Sequence, residues 1–205
     1  MIGVMSLFRD IALGKSEFSF VDEKIRQKAA EAVKKGIDCI LKCQIVVKGK
    51  KTVWCAQHDE KTLEPCKARS YELASLSGGE SVKIIRFLMM IESPTREVTE
   101  AIESAVAWFD KTKIVGIRLK RVKDISKPKG WDRIVVQDSS APPMWARFYE
   151  IETNKPFFCS RDGLPKYQLS EISHERRWGY FWLGYYADSL LKKEYPAWQK
   201  KGRRY

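Results

Sequence analysis

The sequence lacks any apolar run that approaches the roughly 20 residues needed for a bilayer-spanning helix. Met1 to Leu13 has neither a basic start nor a small-residue cleavage site, so the sequence predicts no signal peptide. There is no low-complexity run, and 44% of the residues are hydrophobic, which excludes a largely disordered chain. A folded globular protein remains, and 205 residues are enough for one domain with its own core.

Metal-ligating residues are also few and poorly spaced. The five cysteines, Cys39, Cys43, Cys55, Cys66 and Cys159, form no C-x-x-C pair, so they indicate neither a zinc site nor a disulfide framework. We interpret them as small packing residues. No Asp-rich loop of the calcium-binding type occurs.

Acidic residues are in the minority. The chain has 38 Lys and Arg against 26 Asp and Glu, a formal net charge of +12, which attracts polyanions. Nucleic acid, an anionic membrane and an acidic polysaccharide all fit, as does a basic surface without such a partner. A nucleic-acid-binding module is one alternative, because aromatic residues alternate with Lys and Arg near the end, although no recognised nucleic-acid motif accompanies them.

Helical periodicity dominates the first half. Met1 to Leu13 predicts an amphipathic helix that begins without a cap, and Asp22 is the predicted cap of a long second helix. Further helices are predicted over Glu80 to Ile91 and over Pro94 to Phe109, the latter capped by Ser93. Repeated antiparallel helix pairs are typical of an all-α array or toroid, although no sequence period proves a repeat.

The remaining segments predict short hairpins and loops. Ile45 to Val47 and Thr52 to Trp54 flank a glycine turn and predict one hairpin, and Trp145 to Ile151 with Phe157 to Cys159 predicts a second. Lys120 to Lys123 is interpreted as part of an exposed charged loop.

Three segments combine aromatic anchors with Arg, His and carboxylates: Trp54 to Asp59, Pro65 to Glu72, and Trp145 to Glu150 followed by Ser160 to Gly163. All three are loop-like, and loops on a rigid scaffold are where functional residues concentrate. Ordinary structural interpretations remain open for their arginines. Arg69 could pair with Glu72 one helical turn later, Arg147 could face solvent, and Arg161 could form a turn salt bridge with Asp162.

These segments resemble the pectic acid lyases, which form polysaccharide lyase family ten. The matching runs are TVWCAQHD from Thr52, ARSYE from Ala68, SLSGGES from Ser75, WARFYE from Trp145 and RDG from Arg161. Their order and spacing agree from Val4 to Trp198, and the chain resembles the C-terminal two-thirds of the family.

The resemblance implies a mainly α fold: an α/α toroid-like helical array with short β-hairpins and long loops, truncated at its N-terminus. Residues 1–205 would form a single domain, with residues 200–205 as a basic tail. It also implies β-elimination on α-1,4-polygalacturonate. The family's catalytic base falls on Arg69, its carboxylate-binding arginines fall on Arg147 and Arg161, and His58 and Trp54 are further predicted substrate-binding residues.

Arginine is better suited to binding a substrate carboxylate than to acting as a catalytic base. Planar guanidinium groups bind carboxylates in bidentate fashion, as a uronate-binding site requires. A base must first lose its proton, and an arginine pKa above about 12 makes that difficult unless neighbouring cations such as Lys67 lower it. Activity should therefore climb into alkaline pH.

For His58 and Trp54 a structural alternative stays open. His58 could satisfy a local hydrogen bond, and Trp54 could be a buried anchor.

Calcium is the cofactor that the resemblance implies, but the family's calcium ligands lie upstream of the matching runs, so no metal ligand is expected in this chain. The implied partner is polygalacturonate, with no nucleic acid and no membrane, and with either a missing N-terminal segment or self-association. The implied location is secreted or periplasmic. The isolated chain is expected to be inactive, and a noncatalytic acidic-polysaccharide-binding remnant is a further alternative.

Overall fold

A computed structural model describes residues 1–202, so residues 203–205 of the predicted basic tail lie outside the described residues. Six α-helices are present in this part: α1 (Ile2–Ala12), α2 (Glu23–Lys42), α3 (Gly78–Met89), α4 (Arg96–Lys111), α5 (His174–Gly179) and α6 (Tyr195–Gly202). Short 3-10 turns cover Ser16–Phe18 and Leu169–Glu171, and a π-helical turn, Leu190–Glu194, precedes α6. None of the described helices is both long and apolar enough to span a membrane.

The strands form four small antiparallel sheets. They are β1 (Val46–Val47), β2 (Lys50–Lys51), β3 (Leu76–Ser77), β4 (Ile117–Lys123), β5 (Trp131–Gln137), β6 (Trp145–Ala146), β7 (Phe148–Tyr149), β8 (Pro156–Cys159), β9 (Pro165–Lys166) and β10 (Leu183–Gly184). The largest sheet has the order β3-β7-β8-β9, while β1 pairs with β2, β4 with β5, and β6 with β10.

The prediction of a mainly α, toroid-like helical array is wrong. The chain is 43% helical and 18% strand, and its strands form several small sheets. Two pairs of consecutive helices do pack against each other, α1 with α2 and α3 with α4. Beyond residue 117, however, the described chain consists of strands, loops and short helical segments, so no series of helix pairs continues around a ring.

Local signals account for several element ends. The Asp22 carboxylate accepts a hydrogen bond from Ile25 N at 2.8 Å, which confirms the predicted cap of α2. The cap of α4 is Thr95, whose hydroxyl accepts from Val98 N at 3.3 Å, so the prediction of Ser93 is wrong by two residues. Gly49 adopts a φ of +74° in the β1–β2 turn, as the predicted hairpin requires.

The β4–β5 hairpin replaces the predicted charged loop. Ile117 to Lys123 pairs with Trp131 to Gln137 over seven residues each. Lys and Arg occupy alternate and adjacent positions along β4, and these charges hid the strand pattern. Pairing is possible because long basic side chains extend into solvent while the backbone completes its ladder of hydrogen bonds.

One hydrophobic core extends from Met5 in α1 to Leu190 in the π-helical turn. Its largest fully buried side chains include Trp54, Trp145 and Trp182. Burying a large apolar side chain contributes roughly 1.5–3 kcal/mol, so these tryptophans fix the loops and short strands around the helices.

Candidate functional site

Three predicted functional arginines lie around two neighbouring tyrosines. Arg69 Nη1 donates to the Tyr71 hydroxyl at 3.2 Å, and the Arg161 guanidinium lies 5.9 Å from the Tyr71 ring centre. The Arg147 guanidinium lies 4.5 Å from the Tyr180 ring centre. The two tyrosine rings are in edge contact, 5.2 Å between centroids. We call these five residues the arginine cluster, and it joins side chains from four distant segments.

Arg69 lies in a turn rather than on a helix. The Ala68 and Glu72 backbones close this turn, with Ala68 N donating to Glu72 O at 3.0 Å and Glu72 N donating to Arg69 O at 2.9 Å. Arg69 Nη1 also lies 3.5 Å from Glu72 Oε1. The alternative interpretation, a contact between Arg69 and Glu72, is therefore correct, although the two residues lie in a turn and not on a helix. The Arg69 side chain remains 66% exposed, so it is open to a ligand.

Its surroundings raise the pKa of the Arg69 guanidinium. The hydrogen bond to Tyr71 is the largest cause, and the negative charge of Glu72 is the next. A general base requires a shift in the opposite direction, because it must hold a lone pair at working pH. Lys67 is not among the groups that perturb this pKa. In this chain Arg69 is thus well suited to hold a carboxylate, while proton abstraction requires alkaline pH or a changed environment.

Arg147 is held between two backbone contacts on the β6–β7 link. Its N donates to Trp182 O at 2.7 Å, and its carbonyl accepts from Gly78 N at 2.8 Å. The guanidinium forms an ion pair with Glu80. Its side chain is only 24% exposed, so the alternative in which Arg147 simply faces solvent is wrong. Arg147 Nε is a buried donor with no hydrogen-bond partner among the described residues.

Arg161 follows β8 in a turn that ends at Gly163, where φ is +76°. Its guanidinium donates to both carboxylate oxygens of Glu175, at 3.2 and 2.9 Å. The alternative salt bridge with Asp162 is wrong, since the Asp162 carboxylate accepts from Leu164 N at 3.0 Å instead. Hydrogen bonds from Arg161 and then Arg176 lower the pKa of Glu175 to about 2.

Glutamates thus accompany all three arginines. Glu72 contacts Arg69, Glu80 contacts Arg147, and Glu175 contacts Arg161. A guanidinium has five N–H donors, and a single carboxylate uses at most two of them. The cluster therefore keeps donors for further carboxylates, and an incoming acid would also compete with the resident glutamates.

Sequence reasoning missed the two tyrosines, Glu80 and Glu175, and it considered Glu72 only as an alternative partner of Arg69. Tyr71 lies inside the ARSYE run and Glu80 inside the SLSGGES run, but neither was assigned a role, and Glu175 lies outside all the matching runs. Tyr180 lies in an aromatic-rich stretch that gave no positional signal. Its hydroxyl donates to Glu72 Oε1 at 2.5 Å, which joins the Arg69 turn to the segment after α5.

His58 and Trp54 are placed differently from the arginines. Both ring nitrogens of His58 are used locally: Nε2 accepts from Cys55 N at 3.1 Å and Nδ1 lies 2.9 Å from Leu63 O. Burial lowers the pKa of His58, so the ring is neutral at pH 7. The Trp54 indole is 1% exposed and donates to Ile40 O at 2.7 Å. Trp54 therefore has no free face for a sugar, and the buried-anchor interpretation fits it.

A cavity of about 640 Å³ is lined by Trp54, His58 and Glu80. Glu80 thereby connects the cavity to the arginine cluster through its ion pair with Arg147. Over residues 1–202, no group of three or more His, Cys, Asp or Glu side chains is arranged to hold a metal ion. The described residues therefore do not fit a calcium site, which would need several converging oxygens.

Comparisons with known proteins show which family and which solved structures the chain is similar to. The family model for pectic acid lyase matches residues 1–191. A mutant of the family 10 polysaccharide lyase from Cellvibrio cellulosa, in complex with trigalaturonic acid, is similar at 37% identity and a TM-score of 0.83, covering 98% of this chain and 61% of that one. The family 10 polysaccharide lyase from Cellvibrio cellulosa is similar at 37% identity and a TM-score of 0.81, over 97% and 59% of the two chains.

A comparison with curated proteins finds no match. The chain spans about three-fifths of the length of the two solved structures that it resembles.

Proposed function

The chain belongs to the pectic acid lyase family, and on that premise we propose that its arginine cluster binds the carboxylates of polygalacturonate for cleavage by β-elimination. The observation that carries the proposal is the meeting of Arg69, Arg147 and Arg161 around Tyr71 and Tyr180. A polymer of uronic acids presents one carboxylate per sugar, so several cations are needed along one face. The similar lyase in complex with trigalaturonic acid supports this choice of ligand.

The arginine cluster would first hold the substrate in a fixed position. Arg147 is partly buried and held at its backbone on both sides, so it can fix the register of one uronate. Arg161 is exposed and would hold a neighbouring carboxylate through its remaining donors. Binding in this way would also neutralise charge that develops on the carboxylate when the adjacent C5 proton leaves.

Arg69 is the proposed base. With its pKa raised by Tyr71 and Glu72, the neutral guanidine is scarce near neutral pH, so the rate should rise steadily into alkaline pH. Tyr71→Phe removes the largest cause of that shift and should move the rise toward lower pH. Unsaturated product absorbance measured against pH, with calcium present, checks this. A profile that peaks at or below neutrality in the wild-type chain would contradict the role of Arg69.

Calcium and the secreted or periplasmic location remain proposals taken from the family. The described residues offer no donor set suited to the metal.

A noncatalytic polysaccharide-binding role is a second candidate, favoured by two observations. The described residues do not form a metal site, and the Arg69 guanidinium is stabilised in its protonated form. Binding of oligogalacturonate without any unsaturated product, at every pH tested with calcium present, would favour this role over the lyase.

Calorimetric titration with trigalacturonate tests the cluster itself. Arg147→Gln should weaken binding about tenfold, because it removes charge-assisted hydrogen bonds to a carboxylate. Arg96→Gln is the matched control, since the Arg96 side chain is 92% exposed on α4 and pairs with Glu100. Equal affinities in the two variants would refute the placement of the site at the cluster.

A further inference from the structure

A second group of arginines and aromatic rings lies along the β4–β5 hairpin. The Arg121 guanidinium lies 4.0 Å from the ring centre of Trp131 and 5.1 Å from that of Trp178. The Arg133 guanidinium lies 5.2 Å from Trp178 and 5.2 Å from Phe181. We call these five residues the arginine–aromatic strip. Cations and rings alternate along it, and Phe181 at one end is 65% exposed.

The two arginines of the strip face each other across the hairpin. The register pairs Arg121 with Arg133, and like charges directly opposite each other on paired strands are destabilising. Both contact the indole of Trp178. Stacking uses the face of a guanidinium and leaves the N–H donors at its edge for other partners. The strip therefore holds two positioned cations whose mutual repulsion a bound anion would relieve.

No carboxylate neutralises these two cations. Within residues 1–202, neither Arg121 nor Arg133 forms an ion pair. The three arginines of the cluster, in contrast, each contact a glutamate. The hairpin as a whole, residues 117–137, contains seven Lys or Arg and two Asp, and so contributes +5 to the chain's net charge of +12. Much of the excess positive charge therefore lies beside the strip.

The strip adjoins the arginine cluster at Tyr180. Arg133 Nη1 donates to the Tyr180 carbonyl at 3.1 Å, while Arg147 stacks over the ring of the same residue. Tyr186 is near both groups, because its hydroxyl donates to Phe181 O at 2.6 Å, and a Cβ on Gly79 would lie 3.9 Å from both Tyr186 Cε1 and Arg147 Cγ. A polymer held at the cluster can thus continue directly onto the strip.

We infer that the arginine–aromatic strip binds further uronate residues of a polysaccharide chain whose other residues occupy the cluster. This rests on the proposed function, because the cluster sets the position of the chain. Repeating carboxylates match the unpaired guanidinium groups, and the apolar face of a sugar can pack on an exposed ring such as Phe181. A single-stranded nucleic acid would use the same chemistry, but the continuity with the cluster favours the polyuronate.

The test compares a short and a long ligand. Binding of trigalacturonate, of long polygalacturonate and of a single-stranded oligonucleotide is measured by calorimetry at one ionic strength, for the wild-type chain, Arg121→Gln, Lys120→Gln and Arg147→Gln. Lys120 is the matched control, because it precedes Arg121 on β4 and so points to the other face of the hairpin while carrying the same charge. Thermal melts verify that each variant is folded.

Arg121→Gln should weaken polygalacturonate binding about fivefold and leave trigalacturonate binding unchanged. Lys120→Gln should leave the affinities for both ligands nearly unchanged. Equal polygalacturonate affinities for Arg121→Gln and Lys120→Gln would overturn the inference. So would an Arg121→Gln variant that loses only the binding of a single-stranded oligonucleotide. Failure of the proposed function gives a different result: trigalacturonate does not bind the wild-type chain, or binds Arg147→Gln equally well.

Discussion

Gly78 provides the sharpest test of how the core positions Arg147. A Cβ at this residue would lie 2.4 Å from the Ala146 carbonyl oxygen, about 1 Å closer than the 3.4 Å at which ordinary contact begins. The neighbour is backbone and cannot rotate away, so Gly78→Ala must push the β6–β7 link outward. Overpacking of this kind costs about 2 kcal/mol, which corresponds to a fall in Tm of about 6 °C for a chain of this length.

The adjacent glycine is a matched control. A Cβ at Gly79 would meet nothing closer than 3.9 Å, at Arg147 Cγ and Tyr186 Cε1, and alanine within a helix is favoured over glycine by up to about 1 kcal/mol. Differential scanning calorimetry should therefore show a lower Tm for Gly78→Ala and an equal or higher one for Gly79→Ala. A Gly78→Ala variant that melts at the wild-type temperature would contradict this account of Gly78. Gly78→Ala should also weaken trigalacturonate binding, since it displaces Arg147.

Two further changes probe ion pairs. Glu175→Gln removes the carboxylate that holds Arg161, so trigalacturonate affinity measured by calorimetry should rise by about threefold; a weaker affinity would show that Glu175 positions Arg161 rather than competing for it. Arg177→Met leaves the buried Asp132 carboxylate without its bidentate partner, which should cost about 3 kcal/mol in urea unfolding at pH 7. Because Arg177 lowers the pKa of Asp132, the pair stabilises the fold above the unfolded pKa of about 4 and loses that effect as pH falls. The difference between the two chains should therefore shrink on acidification, and a constant difference would contradict this.

Parts of the fold were predictable where one local signal decides the outcome. Helix α2 begins at the carboxylate cap of Asp22, and the β1–β2 turn follows from a glycine with positive φ. The β4–β5 hairpin was not predictable in this way, because Lys and Arg at successive positions concealed the alternation of the strand. The cap of α4 was misplaced because two hydroxyl residues, Ser93 and Thr95, compete within one turn.

The candidate site shows a different limit. The resemblance identified Arg69, Arg147 and Arg161, but no spacing along the chain shows that their side chains meet around Tyr71 and Tyr180. That meeting depends on long-range packing. The direction of the Arg69 pKa shift was also beyond sequence reasoning, since it depends on a hydroxyl two residues away and on how the turn folds back.

The hydrogen bond from Tyr180 to Glu72 joins residues 108 positions apart, and the Arg147–Glu80 pair joins residues 67 positions apart. Contacts of such long sequence separation form late in folding. An intermediate that already has its helices would accordingly lack the ligand site. Recovery of uronate affinity during refolding should lag behind recovery of far-ultraviolet circular dichroism, and a protease cut in the loop between α4 and β4 should abolish affinity while most helical signal persists.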